Sequence, residues 1–446
     1  MKVDGKVEQN GGWRTLSGSP SLPEIHSSLP IPRFGSLRKL MAFAGPGFLV
    51  AVGYMDPGNW ATDLAAGSRY NYRLLFVISL SNLLAVLLQS LAIKLGVVGG
   101  RDLAQACRDY FSRPVAWGMW VLAEIAIAAC DLAEVIGSAI ALQLLFHIPL
   151  LVGVVLTGFD VILLLMLENK GFRYIEAIVI TLTATIGICF GLEILFSHPE
   201  MAPALRALVV PDVGILRDPS MMFIAIGILG ATVMPHNLYL HSAVVQTRNF
   251  ERSPEGRREA LRFCNIDSAV ALTFALLVNA AILIVAAAVF YRSGNRQVAE
   301  IQDAYRLMSP LLGVTGASAL FAIALLASGQ NSTLTGTLAG QIIMEGFIHI
   351  RLRPWLRRMV TRLLAIIPAV VVTAMAGASG TARLLLFSQV VLSMQLSFAV
   401  VPLVMFTSSR RLMGEFVNGP LMKALAWSAA ALIAALNAWL LVQAFR

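Results

Sequence analysis

Apolar residues in this chain come in long, nearly unbroken runs separated by short polar connections. They do not form the one-sided stripe of a helix lying on a water-soluble core. Eleven runs approach or exceed the roughly 20 residues that cross a hydrocarbon layer: about 43–68, 74–98, 114–143, 149–167, 173–196, 219–246, 263–291, 309–348, 360–377, 384–406 and 421–444. The run over 309–348 is too long for one crossing, and a polar break is expected near Ser328–Thr337. Inside a bilayer every backbone polar group needs an internal partner, which leaves helices or closed barrels. A barrel would show short alternating strands, and these runs do not alternate. The pattern predicts an all-α integral membrane protein of about 11 transmembrane helices.

Two of the runs are interrupted at bilayer depth, by Asp56-Pro57-Gly58-Asn59 and by Met234-Pro235-His236-Asn237. Proline cannot donate a helical hydrogen bond and clashes with the preceding turn. Glycine loosens the backbone further. Each break opens a unit of five runs, about 43–196 and 219–406, followed by an extra helix at about 421–444. Five is odd, so the second unit starts from the opposite side. This is an inverted 5+5 repeat with discontinuous helices 1 and 6, and substrate is expected between the two breaks.

Composition agrees: 57% of the 446 residues are hydrophobic and 13% charged, and the mean hydropathy is +0.75. The net charge of +9 would suit nucleic acid, but its distribution argues for topology instead. With the N-terminus inside, 25 of the 34 Lys and Arg fall on inner segments, which predicts a cytoplasmic N-terminus and an outer C-terminus in the cell inner (plasma) membrane. No nucleic-acid partner is expected. Cys107, Cys130, Cys189 and Cys264 have no CxxC spacing and indicate neither a disulfide framework nor a zinc site. Residues 1–40 are rich in Ser, Pro and Gly without a signal-peptide apolar core, which predicts a flexible cytoplasmic tail. Residues 41–446 read as a single transporter domain, with a small external element possible between Pro199 and Pro219.

The breaks hold the candidate chemistry. Asp56 offers an anionic oxygen, Asn59 a neutral one, and an unwound turn frees carbonyls such as that of Gly53. Helix capping is the competing role for Asp56, but desolvation opposes a charge kept in hydrocarbon only for capping. Met234 brings a soft thioether, which favours transition metals over Mg²⁺ and Ca²⁺. With Asp56, Asn59 and carbonyls such as those of Ala231 and Gly53 it would form a mixed hard and soft site, suited to Mn²⁺ and Fe²⁺. Methionine in an apolar span is ordinarily packing, and there are 17 of them; what favours ligation is its place directly before a break that faces another.

His236 and His241 follow on the same half-helix, as proton relays or as hydrogen-bonded ties to neighbouring helices. Glu124, Asp131 and Glu134 fall within roughly an 80° arc of one helix face. Such a row serves as a proton path or as a salt-bridge network with Arg357 and Arg358; the two readings merge if those arginines are the partners. Intramembrane amides and hydroxyls, including Asn82, Gln89, Asn279, Gln330, Asn331, Thr333, Thr335, Gln341, Gln389 and Gln395, are by default interhelical hydrogen-bonding groups. Gln389 is a further candidate for touching the substrate. No GxxxxGK[ST], HExxH, GxSxG or GxGxxG stands in a supporting context, so the residues point to neither an enzyme nor an ATP-driven pump.

Asp-Pro-Gly-Asn at 56–59, Ala-Thr-Val-Met-Pro-His-Asn at 231–237 and the stretch Gly-Gln-Asn-Ser-Thr-Leu-Thr-Gly-Thr-Leu-Ala-Gly-Gln-Ile-Ile-Met-Glu-Gly at 329–346 resemble the Nramp family of proton-coupled divalent metal transporters, in its bacterial manganese branch. The likeness runs through 43–444. It implies the inverted-repeat (LeuT-like) fold of amino-acid and sodium symporters. It implies metal ligation by Asp56, Asn59, Met234 and the Ala231 carbonyl, with the Gly53 carbonyl in some states and Gln389 when the site is occluded. It implies a proton route through Asp131, Glu134, His236, Arg357 and Arg358. Magnesium-type relatives lack the methionine, which this chain keeps. Gly53 departs from the alanine of many relatives, but only a backbone carbonyl is needed there.

The residues together with the resemblance thus imply a secondary transporter, a monomer needing no cofactor, that imports Mn²⁺, Fe²⁺ and also Cd²⁺ by proton symport through the lipid bilayer. A symporter of organic solutes on the same fold, a metal channel and a membrane receptor are the rivals. If the Met234 sulfur provides selectivity, Met234→Ala should weaken the preference for Cd²⁺ and admit Ca²⁺ or Mg²⁺. Competition between these ions in an uptake assay checks this; an unchanged preference would remove the role of the sulfur.

Overall fold

The structure is a computed structural model that describes residue 13 and residues 20–32, 35–159, 171–296, 298, 300–350 and 352–444. After a short strand β1 (Leu29–Pro30), the first unit comprises α1 (Ser36–Phe43), α2 (Pro46–Ala51), α3 (Pro57–Tyr70), α4 (Leu75–Gly99), α5 (Leu103–Tyr110), α6 (Arg113–Phe146), α7 (Leu150–Leu156) and α8 (Phe172–Ser197). The connection after it holds the short helix α9 (Met201–Val209). The second unit comprises α10 (Pro219–Thr232), α11 (Pro235–Val244), strand β2 (Arg248–Asn249), α12 (Pro254–Ala286), α13 (Ile301–Leu312), α14 (Ala317–Ile348) and α15 (Pro354–Thr407), which bends through Gly377. Helices α16 (Arg410–Met413) and α17 (Pro420–Ala444) follow. The run at 149–167 is seen as α7 and a turn to Phe159, and the rest of it lies outside the described residues.

Both breaks follow from the same dipeptide. A residue before proline is driven out of the helical region into an extended conformation. Asp56 stands at φ −71°, ψ 167° and Met234 at φ −80°, ψ 129°. Proline then occupies the first position of α3 and of α11, where its missing N–H costs nothing. The backbone therefore opens at the residues with the candidate ligand side chains.

Two packed groups surround the breaks. α4 lies along α11 and α12, and α6 lies against α14 and α15. Close approach depends on small residues: Gly137 of α6 sits against the Pro57 ring, where any side chain would collide. The start of α2 is clasped at one end of the bundle. Asp267 of α12 accepts from the N–H groups of Gly45 (3.2 Å) and Gly47 (2.7 Å). Arg248 donates to the Ala44 carbonyl and to Glu176, both at 2.6 Å.

Two expectations change. α14 runs unbroken through Ser328–Thr337. The hydroxyls of Thr335 and Thr337 bond back to the carbonyls of Ser332 (3.1 Å) and Thr333 (2.8 Å), so polarity is absorbed without unwinding. The long run divides instead at Gly313 and Gly316, whose φ values of 66° and 100° suit glycine. The flexible tail expected over 1–40 is seated where it is described. Trp13 and Leu22 are buried, β1 pairs in parallel with β2, and α1 begins at Ser36. Composition does not register the apolar seat and hydrogen-bond partners that the helix ends supply.

Replacing Gly137 with alanine should push a methyl into the rigid Pro57 ring and cost about 1–3 kcal/mol. Thermal unfolding of the detergent-solubilised protein measures it; an unshifted midpoint would mean that α6 and α3 separate freely.

Candidate metal centre

An opened helix leaves carbonyls that hydrocarbon cannot satisfy, so each needs a donor. At the first break the Tyr54 carbonyl accepts from Asn279 Nδ2 of α12 at 2.7 Å. The Met55 carbonyl accepts from Ser328 Oγ of α14 at 2.6 Å and from Trp60 Nε1 at 3.2 Å. The carbonyls of Gly53 and, across the second break, Ala231 meet a different group: Asn59 Nδ2, at 3.3 and 2.9 Å. The same nitrogen lies 2.7 Å from Asp56 Oδ1. Four of the expected ligand residues thus converge between the two breaks, all buried.

Asp56 is also the N-cap of α3, its Oδ1 accepting from the Asn59 N–H at 2.9 Å. Capping does not exclude a ligand role, because its Oδ2 is buried and has no hydrogen-bond partner. Amide nitrogen and oxygen are assigned from their surroundings, and a half-turn of the Asn59 amide would direct an oxygen at the same point. Gln389 of α15 lies directly on Gly58, where a Cβ would meet its amide, and its Oε1 is unpartnered. Met234 is fully buried, in an apolar cluster with Ala126, Cys130 and Leu392. Trp60, one turn beyond Asp56, is edge-on to Phe190 (4.8 Å) and Phe321 (5.1 Å) and closes that side with aromatic surface.

The acidic face of α6 starts beside this point. Cys130 lies 3.8 Å from His236 Nε2 and 3.6 Å from Glu134 Oε1, linking α11 to the row. Glu134 accepts from Ser332 Oγ (2.9 Å) and Thr333 Oγ1 (3.3 Å) of α14 and has Arg362 at 3.6 Å. Arg362 also donates to the Asp131 carbonyl (3.3 Å) and to Thr333 Oγ1 (3.1 Å). Arg357 pairs with Glu124 at 3.0 Å, further toward the start of α6. The side chain of Arg358 lies outside the described residues. His241 is apart from this row: its Nδ1 is 2.9 Å from Gln89 Oε1, and Gln89 Nε2 donates to the Tyr54 hydroxyl at 2.9 Å, tying α11 and α4 to the first break.

Arg362 and Ser332 were not among the candidate residues. The available signal for Arg362 was an arginine inside the apolar run at 360–377, since an intramembrane charge is by default functional. Ser332 had no such signal, because its role depends on the register between α14 and α6.

Residues 47–443 match the family described as natural resistance-associated macrophage protein-like (Nramp). The chain belongs to the Nramp family. This Nramp chain is 64% identical over 425 residues to the divalent metal cation transporter MntH of a Nostoc species, covering 95% of this chain and 96% of that one. It is 60% identical over 442 residues to the MntH of Listeria innocua, covering 99% and 98%. Its structure is similar to that of the Eremococcus coleocola manganese transporter in complex with an aromatic bis-isothiourea compound, with a TM-score of 0.88, 44% identity and coverage of 94% and 90%. Mhp1, a nucleobase-cation-symport-1 family transporter, shares the fold at a TM-score of 0.61, 15% identity and 95% coverage of each chain. The Nramp chain accordingly has the all-α, LeuT-like inverted-repeat fold.

Arg362 lies 3.6 Å from Glu134 with both side chains buried, and losing one partner of a buried pair typically costs about 3–5 kcal/mol. Arg362→Met should therefore destabilise the protein by roughly that amount, and adding Glu134→Gln should recover most of it. Thermal melts of the two variants test the pair; a double variant no better than the single would show that the two residues act independently.

Proposed function

We propose that this chain is a secondary carrier that imports divalent transition-metal cations, Mn²⁺ and Fe²⁺ with Cd²⁺ also accepted, into the cytoplasm together with protons. The observation that carries the reading is the convergence of Asp56, Asn59 and the Gly53 and Ala231 carbonyls between two facing helix breaks. The relatives named divalent metal cation transporters, and the similar structure named a manganese transporter, support the same substrate class.

In this reading the cation loses part of its hydration and gains protein ligands. Asp56 balances its charge and offers the unpartnered Oδ2. Asn59 turns its oxygen inward, Met234 adds soft character that Mg²⁺ and Ca²⁺ do not exploit, and Gln389 completes the shell on closure. The proton leaves along α6: His236 and Glu134 lie beside the centre, Arg362 ties Glu134 to the backbone carbonyl of Asp131, and Glu124 with Arg357 continue toward the start of the helix. Each positive charge moving inward gains about 2.3 kcal/mol per 100 mV of inside-negative potential. The carrier acts as a monomer in the plasma membrane, with no resident cofactor, its N-terminus in the cytoplasm and its C-terminus outside.

Mn²⁺ uptake into proteoliposomes, with and without an inward proton gradient, tests this. Wild type should take up Mn²⁺ with accompanying proton entry, and Asp56→Ala should lose about tenfold or more. Robust uptake by the Asp56→Ala variant would move the binding point elsewhere, and a folded wild type that takes up no Mn²⁺ would favour an organic substrate.

A further inference from the structure

The N-terminal segment lies across the seam between the two packed groups. The Ser21 hydroxyl donates to Asp102 Oδ2 at 2.7 Å, and Asp102, which caps α5 through the Gln105 N–H at 2.9 Å, lies against Gly346 of α14; on the side of the first group the Arg101 guanidinium just past α4 covers Trp13. The Ser27 N–H donates to the Gln246 carbonyl at the end of α11 at 2.9 Å, and β1 pairs with β2. Toward the second group, the Leu22 N–H donates to Glu345 Oε2 near the end of α14 at 2.9 Å. Trp13 packs edge-on to Phe406 at the end of α15, 5.6 Å between centroids, while the Arg101 guanidinium covers its ring at 4.4 Å. The segment thus joins the ends of α4 and α11 to those of α14 and α15.

These are not loose surface contacts. Asp102 and Glu345 are both buried, and the segment supplies a donor to each. A buried carboxylate that loses a donor becomes less stable by the desolvation it no longer offsets. Only residues 31–35 separate β1 from α1, and five residues reach at most about 18 Å when extended. The segment is therefore tied to α1, and Arg248, which faces Leu29 across β1 and β2, also holds the Ala44 carbonyl just ahead of the clasped half-helix.

We propose that Trp13 and residues 20–32 form a latch that holds the cytoplasmic face shut while the outer face is open, and that it lifts from Glu345 and Phe406 to release metal inward. This rests on the carrier reading above. Opening this face must part the group containing α4, α11 and α12 from the group containing α6, α14 and α15. The latch spans both, so it cannot stay bound on both sides during release. Its contacts add to the stability of the inward-closed state and slow the inward step.

Paired cysteines in the full-length protein in proteoliposomes test the latch. Leu22→Cys/Glu345→Cys and Trp13→Cys/Phe406→Cys cross the seam, whereas Ser27→Cys/Gln246→Cys stays within the first group. Each pair is joined by a short reducible thiol cross-linker, and Mn²⁺ uptake is measured before linking, after linking and after reduction. Linking either seam pair should lower uptake about tenfold, reversibly, and linking the control pair should leave it within about twofold. Seam-linked protein that keeps its uptake would overturn the latch, as would equal inhibition by the control pair. Loss of the carrier reading is distinguished by the unlinked variants and wild type, which would then take up no Mn²⁺ at all.

Discussion

A carbonyl freed inside hydrocarbon must find a donor, and the interior of this protein is arranged around that requirement. Two prolines open two helices, and the exposed carbonyls are then distributed. Those of Tyr54 and Met55 are taken by Asn279, Ser328 and Trp60. Those of Gly53 and Ala231 face the Asn59 amide beside Asp56. The polar residues of α12 and α14 nearest the break thus select which oxygens remain for the centre. Without them the break would present four competing carbonyls, and the half-helices would lack the ties that fix their angle.

The same logic explains the glycines of α14. Gly329 faces Ser138, Gly336 faces Glu134 and Gly340 faces Arg357, and a Cβ at any of them would collide with the facing side chain. These positions make room along one helix for polar groups projecting from α6 and α15. Between them Ser332 and Thr333 supply the hydroxyls that Glu134 accepts. A motif recognisable only as a signature in sequence is, in space, a channel of clearance with two donors set into it.

How far the sequence could be read follows from the range of each interaction. The breaks were legible because proline acts on its immediate neighbour, so Asp56 and Met234 could be placed before any helix packing was known. The acidic row on α6 was legible because its spacing lies within one helix. Arg362 was not: Arg357 and Arg358 were the expected partners, yet the cation beside Glu134 is fixed by how α15 slides along α6, which no local pattern encodes. The unbroken course of α14 was misjudged because hydroxyl side chains look like interruptions but can bond to their own helix. The seated N-terminal segment was missed for a similar reason, since Ser21 and Leu22 find their partners at Asp102 and Glu345, far along the chain.

The Asn59 amide nitrogen stands among three oxygens, of Asp56, Gly53 and Ala231. A carrier must make half of every cycle without its cargo, and a cluster of bare oxygens at bilayer depth would repel itself throughout that return. A side chain that is a donor in one orientation and an acceptor in the other removes the difficulty. In the carrier proposed above it would be a built-in placeholder, neutral overall and tethered, that yields its position by one rotation and then joins the shell it had been quieting. Side-chain rotation is fast compared with helix movement, so such an exchange adds no slow step of its own, and the freed oxygens keep a hydrogen-bond donor during the returning stroke.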